Sequence, residues 1–389
     1  MISSPVEEAE FILRRLRGCI LIAVVVVVGL AGCGVAAEAR APRPAGYRRV
    51  ARVPVGEHPV AMVALDLDAD GDLDLVVPSS VRSELTLLVN DGAGGLTGQG
   101  LSLPEGTPSL VAADFDEDGH QDLALAQPGR GEVLLLRGGA AGFAPWTVAA
   151  VRTPFALAAG DRDGDGHVDL AVASFAGETT TLLRGDGRGG LAAMEELAGP
   201  TGASSVLLED VDRDGRGDVA VTGTRAGELW LTSTSTSTST STRTSTSTST
   251  GPTGGWPLGV IAAQLDGDRA LELIGAANQG DALFIGELSA PGAALVMRTL
   301  PLAGQPGAVA AADLDADGDL DLVVTAKAAD RVDLLLSDGA GNLGYWRSLA
   351  TGVAPTPLVI ADLDGDHCPD IAFANAFSND VMLYRCVPE

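Results

Sequence analysis

Short apolar runs alternate with acidic and glycine-rich stretches along most of the chain. Runs such as "PVAMVAL" (59–65), "DLVV" (74–77) and "ELTLLV" (84–89) are four to seven residues long, which is too short for ordinary helices. Gly, Pro, Asp and Asn separate the runs, and these are the residues that usually end strands. The pattern predicts an all-β protein of many short strands, without long amphipathic helices.

The alternation has a period of about 48 residues. Its marker is the acidic spacing Asp-x-Asp-x-Asp-Gly-x-x-Asp, which recurs seven times, and these segments are numbered loops 1 to 7. Loops 1 and 6 share the ten-residue sequence "DLDADGDLDL", loop 7 has His367 in place of the glycine, and loop 5, "QLDGDRALE", is eroded. The loops begin at Asp66, Asp114, Asp161, Asp210, Gln264, Asp313 and Asp362, with spacings of 48, 47, 49, 54, 49 and 49 residues.

The surroundings of the loops repeat as well. An apolar run precedes each loop, a second run such as "DLAL" or "DLAV" follows it, and a third run leads to a Gly turn such as "NDGAGG" or "GDGRGG". A more polar fourth run completes the unit. Four strands in roughly 50 residues are the size of a β-propeller blade, and seven such units can close into a ring.

The two ends of the chain supply the parts of one blade. The last unit ends after its third strand, "DVMLYRC" (380–386), and residues 47–54 form a strand without a partner of their own. We therefore predict a seven-bladed β-propeller of four-stranded antiparallel blades over residues 47–389, closed by the N-terminal strand in blade 7. An open solenoid is the alternative, but it would leave strand edges unpaired.

The composition agrees with this architecture, and the chain carries a strong negative charge. The chain has 50 Gly and 21 Pro but only 4% aromatic residues, which suits many turns around a core of small residues. Its formal net charge is −27. Because binding to nucleic-acid phosphates needs a basic face, we expect no nucleic-acid partner and a preference for cations.

The first 32 residues are predicted to be an export signal. Three arginines precede the apolar run 19–30, which is shorter than a comfortable membrane span. The run ends in "LAGC", which resembles a bacterial lipobox, and an uncleaved anchor is the alternative. The resemblance implies cleavage before Cys33, lipidation of its thiol and, with Gly34 following, export to the outer membrane. We expect residues 33–46 to be a lipidated tether that holds the protein to the membrane of the bacterial cell envelope, in the periplasm or on the surface.

The repeated unit resembles the FG-GAP, or VCBS, repeat of the integrin α-chain type of seven-bladed propeller. The resemblance rests on an acidic loop, a "DLAV"-type strand and a "GDG"-type turn, repeated in register over almost the whole chain after residue 46. It implies that the acidic loops bind calcium. The departures are loop 5, His367 and a Ser/Thr tract.

The chemistry of the loops also favours calcium. Carboxylates at loop positions 1, 3 and 5 converge, and like charges so close together favour a cation between them. The spacing matches the first half of an EF-hand, in which Gly at position 6 permits a sharp turn and the carbonyl of position 7 is a ligand. A solvated acidic turn without metal is the alternative.

Carried over from the resembled family, the ligands are the side chains at positions 1, 3, 5 and 9 and the carbonyl at position 7. Loop 5 offers Asp266, Asp268 and Glu272, but it begins with Gln264 and has Arg269 for glycine, and we expect it to bind nothing. About five or six Ca²⁺ sites result. Their predicted ligands are Asp66, Asp68, Asp70, Asp72 and Asp74 in loop 1; Asp114, Asp116, Asp118, His120 and Asp122 in loop 2; Asp161, Asp163, Asp165, His167 and Asp169 in loop 3; Asp210, Asp212, Asp214, Arg216 and Asp218 in loop 4; Asp313, Asp315, Asp317, Asp319 and Asp321 in loop 6; and Asp362, Asp364, Asp366, Cys368 and Asp370 in loop 7.

Two cysteines near the C-terminus are candidates for a disulfide. If strands 371–375 and 380–386 form a hairpin, Cys368 and Cys386 lie roughly opposite each other. In an oxidising envelope the pair would link the last blade, and two unpaired buried thiols are the alternative.

The tract Ser233–Thr250 alternates serine and threonine almost without interruption. The spacing across it exceeds its neighbours by only about six residues. We therefore expect it to replace the turn and outer strand of blade 4, disordered and only partly paired.

Other motifs are weaker. Arg216-Gly217-Asp218 spells the integrin-recognition tripeptide, but Asp218 closes loop 4. The four histidines are scattered through loops, and the sequence contains no HExxH, GxSxG or CxxC motif. We expect no catalytic residues and a monomeric binding or adhesion module for an unknown protein or glycan. The alternatives are a propeller lyase or hydrolase acting on extracellular polysaccharide and a purely structural envelope protein.

Overall fold

The protein is a ring of seven four-stranded antiparallel sheets. The structure, a computed structural model, describes residues 44–388 except 141, 237–243, 269 and 290–292. Within these ranges the helical content is one short 3₁₀ turn, Asn278–Gly280, and no helix is long and apolar enough to span a membrane. In chain order the strands are β1 (Pro44–Pro54), β2 (Val63–Leu65), β3 (Asp74–Pro78), β4 (Glu84–Asn90), β5 (Leu96–Ser102), β6 (Leu110–Ala113), β7 (Asp122–Gln127), β8 (Glu132–Arg137), β9 (Ala144–Ala150), β10 (Pro154–Gly160), β11 (Asp169–Ser174), β12 (Thr179–Gly185), β13 (Leu191–Ala198), β14 (Ala203–Glu209), β15 (Asp218–Gly223), β16 (Glu228–Thr236), β17 (Thr244–Pro252), β18 (Pro257–Ala263), β19 (Glu272–Ala277), β20 (Ala282–Leu288), β21 (Leu295–Pro301), β22 (Pro306–Ala312), β23 (Asp321–Ala326), β24 (Arg331–Ser337), β25 (Leu343–Ala350), β26 (Pro355–Ala361), β27 (Asp370–Asn375) and β28 (Asp380–Pro388).

Six blades are continuous in sequence. Strands β2 to β5 form blade 1, and each following set of four forms the next blade, up to β22 to β25 in blade 6. In every blade the acidic loop joins the first strand to the second. The predicted all-β, seven-bladed propeller is confirmed.

Blade 7 combines the two ends of the chain, with the strand order β1-β28-β27-β26. Strand β1 pairs antiparallel with β28, from Tyr47 opposite Cys386 to Pro54 opposite Asp380. Arg52 adds two hydrogen bonds to one carboxylate oxygen of Asp380, at 3.0 and 2.7 Å. Closure by the N-terminal strand is confirmed. The strand starts at Pro44, however, so the last three residues of the predicted tether belong to the propeller.

The hydrophobic core lies between the blades. Seven large clusters of buried side chains each join two neighbouring blades; the one between blades 7 and 1 contains Met62, Leu75 and Leu383. The second strand of every blade is buried along its whole length. This burial on both faces explains why an apolar run follows the first residue of each of these strands.

The Ser/Thr tract is part of blade 4. Its first residues extend β16 to Thr236, and β17 pairs with β16 from Thr244 opposite Thr236 to Pro252 opposite Glu228. β-branched threonines favour this extended conformation. The paired residues agree with the prediction that the tract supplies the outer strand of blade 4 through edge pairing. Residues 237–243, like the predicted signal and the tether up to residue 43, lie outside the described residues.

Cys368 and Cys386 form a disulfide in blade 7, with a Cα–Cα distance of 5.8 Å. Cys368 lies in loop 7, and Cys386 lies in β28 opposite Tyr47 of β1. The predicted pair is therefore present, and it links the last acidic loop to β28, the strand on which β1 pairs.

Candidate metal centres

The acidic loops lie side by side on one face of the ring, termed here the acidic face. Because neighbouring strands are antiparallel, the loop between strands one and two and the turn between strands three and four emerge on the same side of a blade. These segments contact the adjacent blade. Gly189 of blade 3 donates its N–H to the carbonyl of Phe115 in loop 2 at 2.9 Å, and Gly341 of blade 6 donates to Leu265 in loop 5 at 3.0 Å.

The side chain at position 1 bends each loop by accepting hydrogen bonds from backbone N–H groups of the same loop. In loop 1, the two carboxylate oxygens of Asp66 accept the N–H groups of Asp70 (3.2 Å) and Gly71 (3.0 Å). Asp70 in turn accepts the N–H of Asp72 at 2.9 Å. Position 1 makes the corresponding bonds in loops 2, 3, 4, 6 and 7. In loops 1, 2, 4 and 6 each of these oxygens keeps a second lone pair for another partner, whereas in loops 3 and 7 one oxygen of position 1 also accepts the N–H of position 4.

In loops 1 to 4, 6 and 7, two positions have a left-handed backbone. Glycine at position 6 was expected to provide one of them, and Gly71 has a φ of 96°. Position 4 is left-handed too, with a φ of 61° at Ala69 and 58° at Ala316, at a cost of roughly 1 kcal/mol for a residue with a Cβ. His367 takes the glycine position of loop 7 with a φ of 64° and donates its N–H to Asp362 at 2.8 Å. This departure from the repeat therefore leaves the turn intact.

The resulting geometry brings carboxylates together. Seven groups of at least three side chains with metal-ligand atoms occur among the described residues; in the five that lie in loops 1 to 5, three acidic side chains place one ligand-type oxygen each within 4.8 Å of the others. Clustered carboxylate oxygens are the hard ligands that calcium prefers. Asp163 Oδ1 and Asp364 Oδ1 are buried and accept no hydrogen bond, so these two oxygens are available to coordinate a cation. The five groups are Asp66, Asp68 and Asp70; Asp114, Asp116 and Asp122; Asp161, Asp163 and Asp169; Asp210, Asp212 and Asp218; and Asp266, Asp268 and Glu272 of the eroded loop 5.

The closing carboxylate at position 9 has a structural role that the sequence did not reveal. Asp74 is fully buried, and its oxygens accept the N–H of Leu67 in the loop and of Asn90 at the end of β4, both at 2.7 Å. The same two bonds occur at position 9 of loops 2, 3, 6 and 7. Position 9 therefore ties the loop to the second and third strands. The sequence did contain a signal for this role, because every unit, including the eroded one, has an acidic residue at position 9.

Burial raises the pKa of several closing carboxyls. The pKa rises to about 7 for Asp218, Glu272 and Asp370 and to about 6 for Asp321, with desolvation as the largest cause. Neighbouring loop carboxylates act in the same direction, while hydrogen bonds from backbone N–H groups lower the pKa. A cation in the loop would favour the charged form of these groups.

The position 9 bonds can be tested by mutation. In EDTA, where calcium plays no part, we expect Asp74→Ala to lower the free energy of unfolding by about 2–4 kcal/mol, because two buried N–H groups lose their partner. Asp72→Ala, two residues away and partly exposed, is the control, and we expect a change of less than about 0.5 kcal/mol. Urea unfolding followed by circular dichroism measures both. Equal effects would contradict the structural role of position 9.

The sequence also did not reveal that arginines contact three of the acidic loops. Nη2 of Arg137 lies 2.7 Å from Asp116 and 2.8 Å from Asp118 in loop 2. Arg184 contacts loop 3 in the same way, and Arg385 lies 3.1 Å from Asp364 in loop 7. The runs "LLLR", "LLRG" and "LYRC" contain these residues, but only the strand register shows that they reach the loops.

The weaker motifs do not form a site of their own. His167 bonds Glu117 of the neighbouring loop at 2.5 Å, whereas His58 lies on the opposite face, against Phe377. Asp218 is fully buried and accepts the N–H of Val211 at 3.1 Å. The Arg-Gly-Asp tripeptide therefore does not present its aspartate to a partner.

The fold and the repeated loops define a class: a seven-bladed β-propeller with acidic, cation-ligand-like loops on one face. The sequence model of the FG-GAP-like repeat matches residues 66–125, 114–172, 161–221, 265–324 and 313–373, which is more than half of the chain. The protein belongs to the FG-GAP-like repeat family. The unmatched stretch 222–264 includes the Ser/Thr tract.

Solved structures share the fold at low sequence identity. A chain in the crystal structure of BBS1N in complex with ARL6DN, soaked with lead, has a TM-score of 0.64 and 12% identity, covering 90% of this chain and 98% of that one. A protein from Lactobacillus plantarum has a TM-score of 0.57 and 13% identity, covering 83% and 90%. A functionally unknown protein from Desulfotomaculum acetoxidans has a TM-score of 0.55 and 10% identity, covering 81% and 99%. No curated protein matches the chain.

Proposed function

We propose that the protein is a calcium-stabilised binding module of the bacterial cell envelope, a monomer held to the membrane by a lipid on Cys33. The observation that carries the calcium part is the convergence of carboxylate oxygens in the acidic loops. Membership in the FG-GAP-like repeat family supports it, because such repeats are known to bind Ca²⁺. The anchor rests on the "LAGC" sequence that ends the apolar N-terminal run.

The ligand would bind on the face opposite the acidic loops. Phe377 and Val81 are 61% and 63% exposed there. Phe377 donates its N–H to Val353 at 3.2 Å and contacts the His58 ring at 5.5 Å, and His58 lies 3.2 Å from Ser80. These residues, with Val81 next to Ser80 in sequence, form a cluster of mixed polarity across blades 6, 7 and 1, termed the blade 7 patch. An exposed aromatic ring amid apolar side chains suits a protein surface or a glycan ring.

Glycan arrays and pull-downs with envelope fractions test the binding function. We expect calcium-loaded protein to bind, EDTA-treated protein to lose binding, and Phe377→Ala to weaken binding about tenfold or more, as for a hot-spot aromatic. Tyr345→Ala is the matched control, because Tyr345 is equally exposed, at 64%, but lies on the outer strand β25. Equal losses in the two variants would contradict the blade 7 patch, and turnover of a polysaccharide would favour the enzyme.

The anchor is tested by fractionation. Cys33→Ser removes the thiol that would carry the lipid, so we expect the variant to leave the membrane fraction while the wild type stays in it. Cys19→Ser, a change inside the predicted signal, is the control. An uncleaved anchor predicts instead that both variants remain in the membrane.

A further inference from the structure

The outer edge of blade 7 is basic, although the chain as a whole carries a net charge of −27. Strand β1, the outer strand of this blade, contains Arg48, Arg49 and Arg52 and no acidic residue. The outer strands of the two adjacent blades, β25 and β5, have no acidic residue either, and β25 adds Arg347. In blade 3, by contrast, the outer strand β13 contains two glutamates. The outer strands of blades 6, 7 and 1 therefore form a basic sector of the rim.

Two of these arginines are available to a partner. Arg48 and Arg49 are exposed, and neither forms an ion pair with any residue that the structure describes. Arg52, in contrast, is paired with Asp380. Successive side chains of a strand point to opposite faces of its sheet, so Arg48 and Arg49 lie on either side of the outer edge of β1. Val50 beside them is 36% exposed, and the three exposed side chains 48–50 are termed the blade 7 rim.

The predicted lipid anchor would hold this rim close to a membrane. Cys33 lies 11 positions before Pro44, the first residue of β1. A fully extended chain of that length spans at most about 40 Å, and a flexible one is shorter on average. Because β1 is the outer strand of blade 7, the tether joins the ring at this edge. A lipid on Cys33 therefore keeps the blade 7 rim within reach of the membrane surface.

Charge decides which surface near the tether can meet an anionic membrane. The N-terminal end of β1 lies beside the acidic face, because Tyr47 pairs with Cys386, which is linked to Cys368 in loop 7. Anionic headgroups repel the carboxylates of the acidic face, whereas each arginine near the membrane surface strengthens binding about fivefold. Salt limits both effects to a distance of about 8 Å at physiological ionic strength, so the side chains nearest the membrane matter more than the net charge. The blade 7 rim is therefore the favoured contact.

We propose that the blade 7 rim is a docking surface for the anionic phospholipid headgroups of the membrane that carries the anchor. This inference rests on the proposed lipid anchor. The guanidinium groups of Arg48 and Arg49 pair with the lipid phosphates, and Val50 contacts the boundary between headgroups and acyl chains. The lipid attaches the protein, and the rim orients it, so that the ring stands on the edge of blade 7. In this orientation the membrane covers neither the acidic face nor the blade 7 patch, and both stay accessible to calcium and to a ligand.

Labelling of individual arginines on vesicles tests the inference. Residues 33–389 are coupled through the thiol of Cys33 to a maleimide lipid, with the blade 7 disulfide left intact. Exposed arginines are then modified with phenylglyoxal and quantified by mass spectrometry. We expect labelling of Arg48 and Arg49 to fall at least about threefold on vesicles that contain phosphatidylglycerol, relative to vesicles of phosphatidylcholine alone. Arg188, exposed on a turn of blade 3 on the other side of the ring, is the internal control and should be labelled equally on both.

A second experiment needs no anchor and compares variants. Residues 34–389 are sedimented with phosphatidylglycerol vesicles, and the double variant Arg48→Gln/Arg49→Gln should bind about tenfold more weakly than the wild type. The matched control, Arg152→Gln/Arg188→Gln, changes the net charge equally at exposed arginines outside blade 7 and should bind like the wild type. Salt at about 0.5 M should abolish the binding of all three chains. Equal losses in the two double variants would contradict the rim as the contact.

The labelling result is decisive because it uses the wild-type sequence and a chemically installed lipid. Equal labelling of Arg48 and Arg49 on the two kinds of vesicle would overturn the docking surface, whether or not Cys33 carries a lipid in the cell. If the two arginines are protected but Cys33→Ser remains in the membrane fraction, the anchor fails and the docking surface stands. Binding to dissolved alginate as tight as binding to vesicles would assign the rim to a soluble polyanion and would also overturn the inference.

Discussion

Removing calcium should lower the melting temperature of the full chain by about 10 °C. A site with an extracellular-type dissociation constant of about 10⁻⁴ to 10⁻³ M contributes roughly 0.4–1.4 kcal/mol at about 1 mM calcium. Up to six such sites contribute roughly 2–8 kcal/mol together, which is comparable with the whole stability of many domains. For a chain of this size each kcal/mol corresponds to about 2 °C.

The measurement is a thermal melt followed by circular dichroism, in calcium and in EDTA. Adding calcium back in excess should restore the higher melting temperature. Magnesium is the control ion, because it prefers a smaller octahedral shell and gives up its waters reluctantly, so we expect it to restore little. Superimposable melts in calcium and EDTA would refute calcium stabilisation.

A chain that lacks β1 should lose its cooperative native fold. Strand β1 is the outer strand of blade 7, and its removal exposes the edge of β28 along the pairing from Tyr47 to Pro54. It also removes the Arg52–Asp380 ion pair and the packing of Tyr47 against Trp346, whose rings lie 6.3 Å apart. We expect a loss of at least about 5 kcal/mol, enough to unfold a typical domain or drive it to aggregate.

The matched pair for this experiment consists of a chain that begins at Pro44 and one that begins at Val55. The longer chain should elute as a monomer and melt cooperatively. The shorter one should aggregate or melt without a transition, and a synthetic peptide of residues 44–54 added in trans should recover part of the fold. A cooperative melt at the same temperature for both chains would show that β1 does not close the ring.

The fold was predictable because the same four-strand unit occurs seven times in the sequence. One apolar run could be a strand or a piece of helix, but the same four runs around the same acidic loop fix the strand order within a blade. The number of repeats then gives the number of blades. The unpartnered strand at residues 47–54 and the missing outer strand after "DVMLYRC" gave the ring closure, which pairs residues more than 300 positions apart.

The candidate sites were predictable only in part, because several of their features depend on backbone geometry or on strand register. The left-handed position 4 is occupied by Ala69 in loop 1, and alanine gives no sign of such a conformation. Arg137 reaches loop 2 because β8 ends beside it, and a linear pattern does not show that distance. The extent of pairing in the Ser/Thr tract was also not predictable, because composition alone allowed an edge strand or disorder, and β16 provides the edge on which β17 pairs.

The two faces of the ring have different chemistry. One carries the acidic loops, whose carboxylates bend the loops, tie strands together and cluster in an arrangement that could hold cations. The other carries exposed apolar side chains such as Phe377 and Val81. This separation would let the metal ions stabilise the blades without taking part in recognition, and it makes the blade 7 patch the first target for finding the ligand.

Long-wavelength anomalous diffraction from crystals grown with calcium tests the metal assignment most directly. We predict anomalous peaks in loops 1 and 6, each at about 2.3–2.6 Å from the carboxylate oxygens at positions 1, 3 and 5. Those oxygens belong to Asp66, Asp68 and Asp70 in loop 1 and to Asp313, Asp315 and Asp317 in loop 6. If neither loop shows a peak in crystals soaked at millimolar calcium, the assignment of calcium to these loops is contradicted.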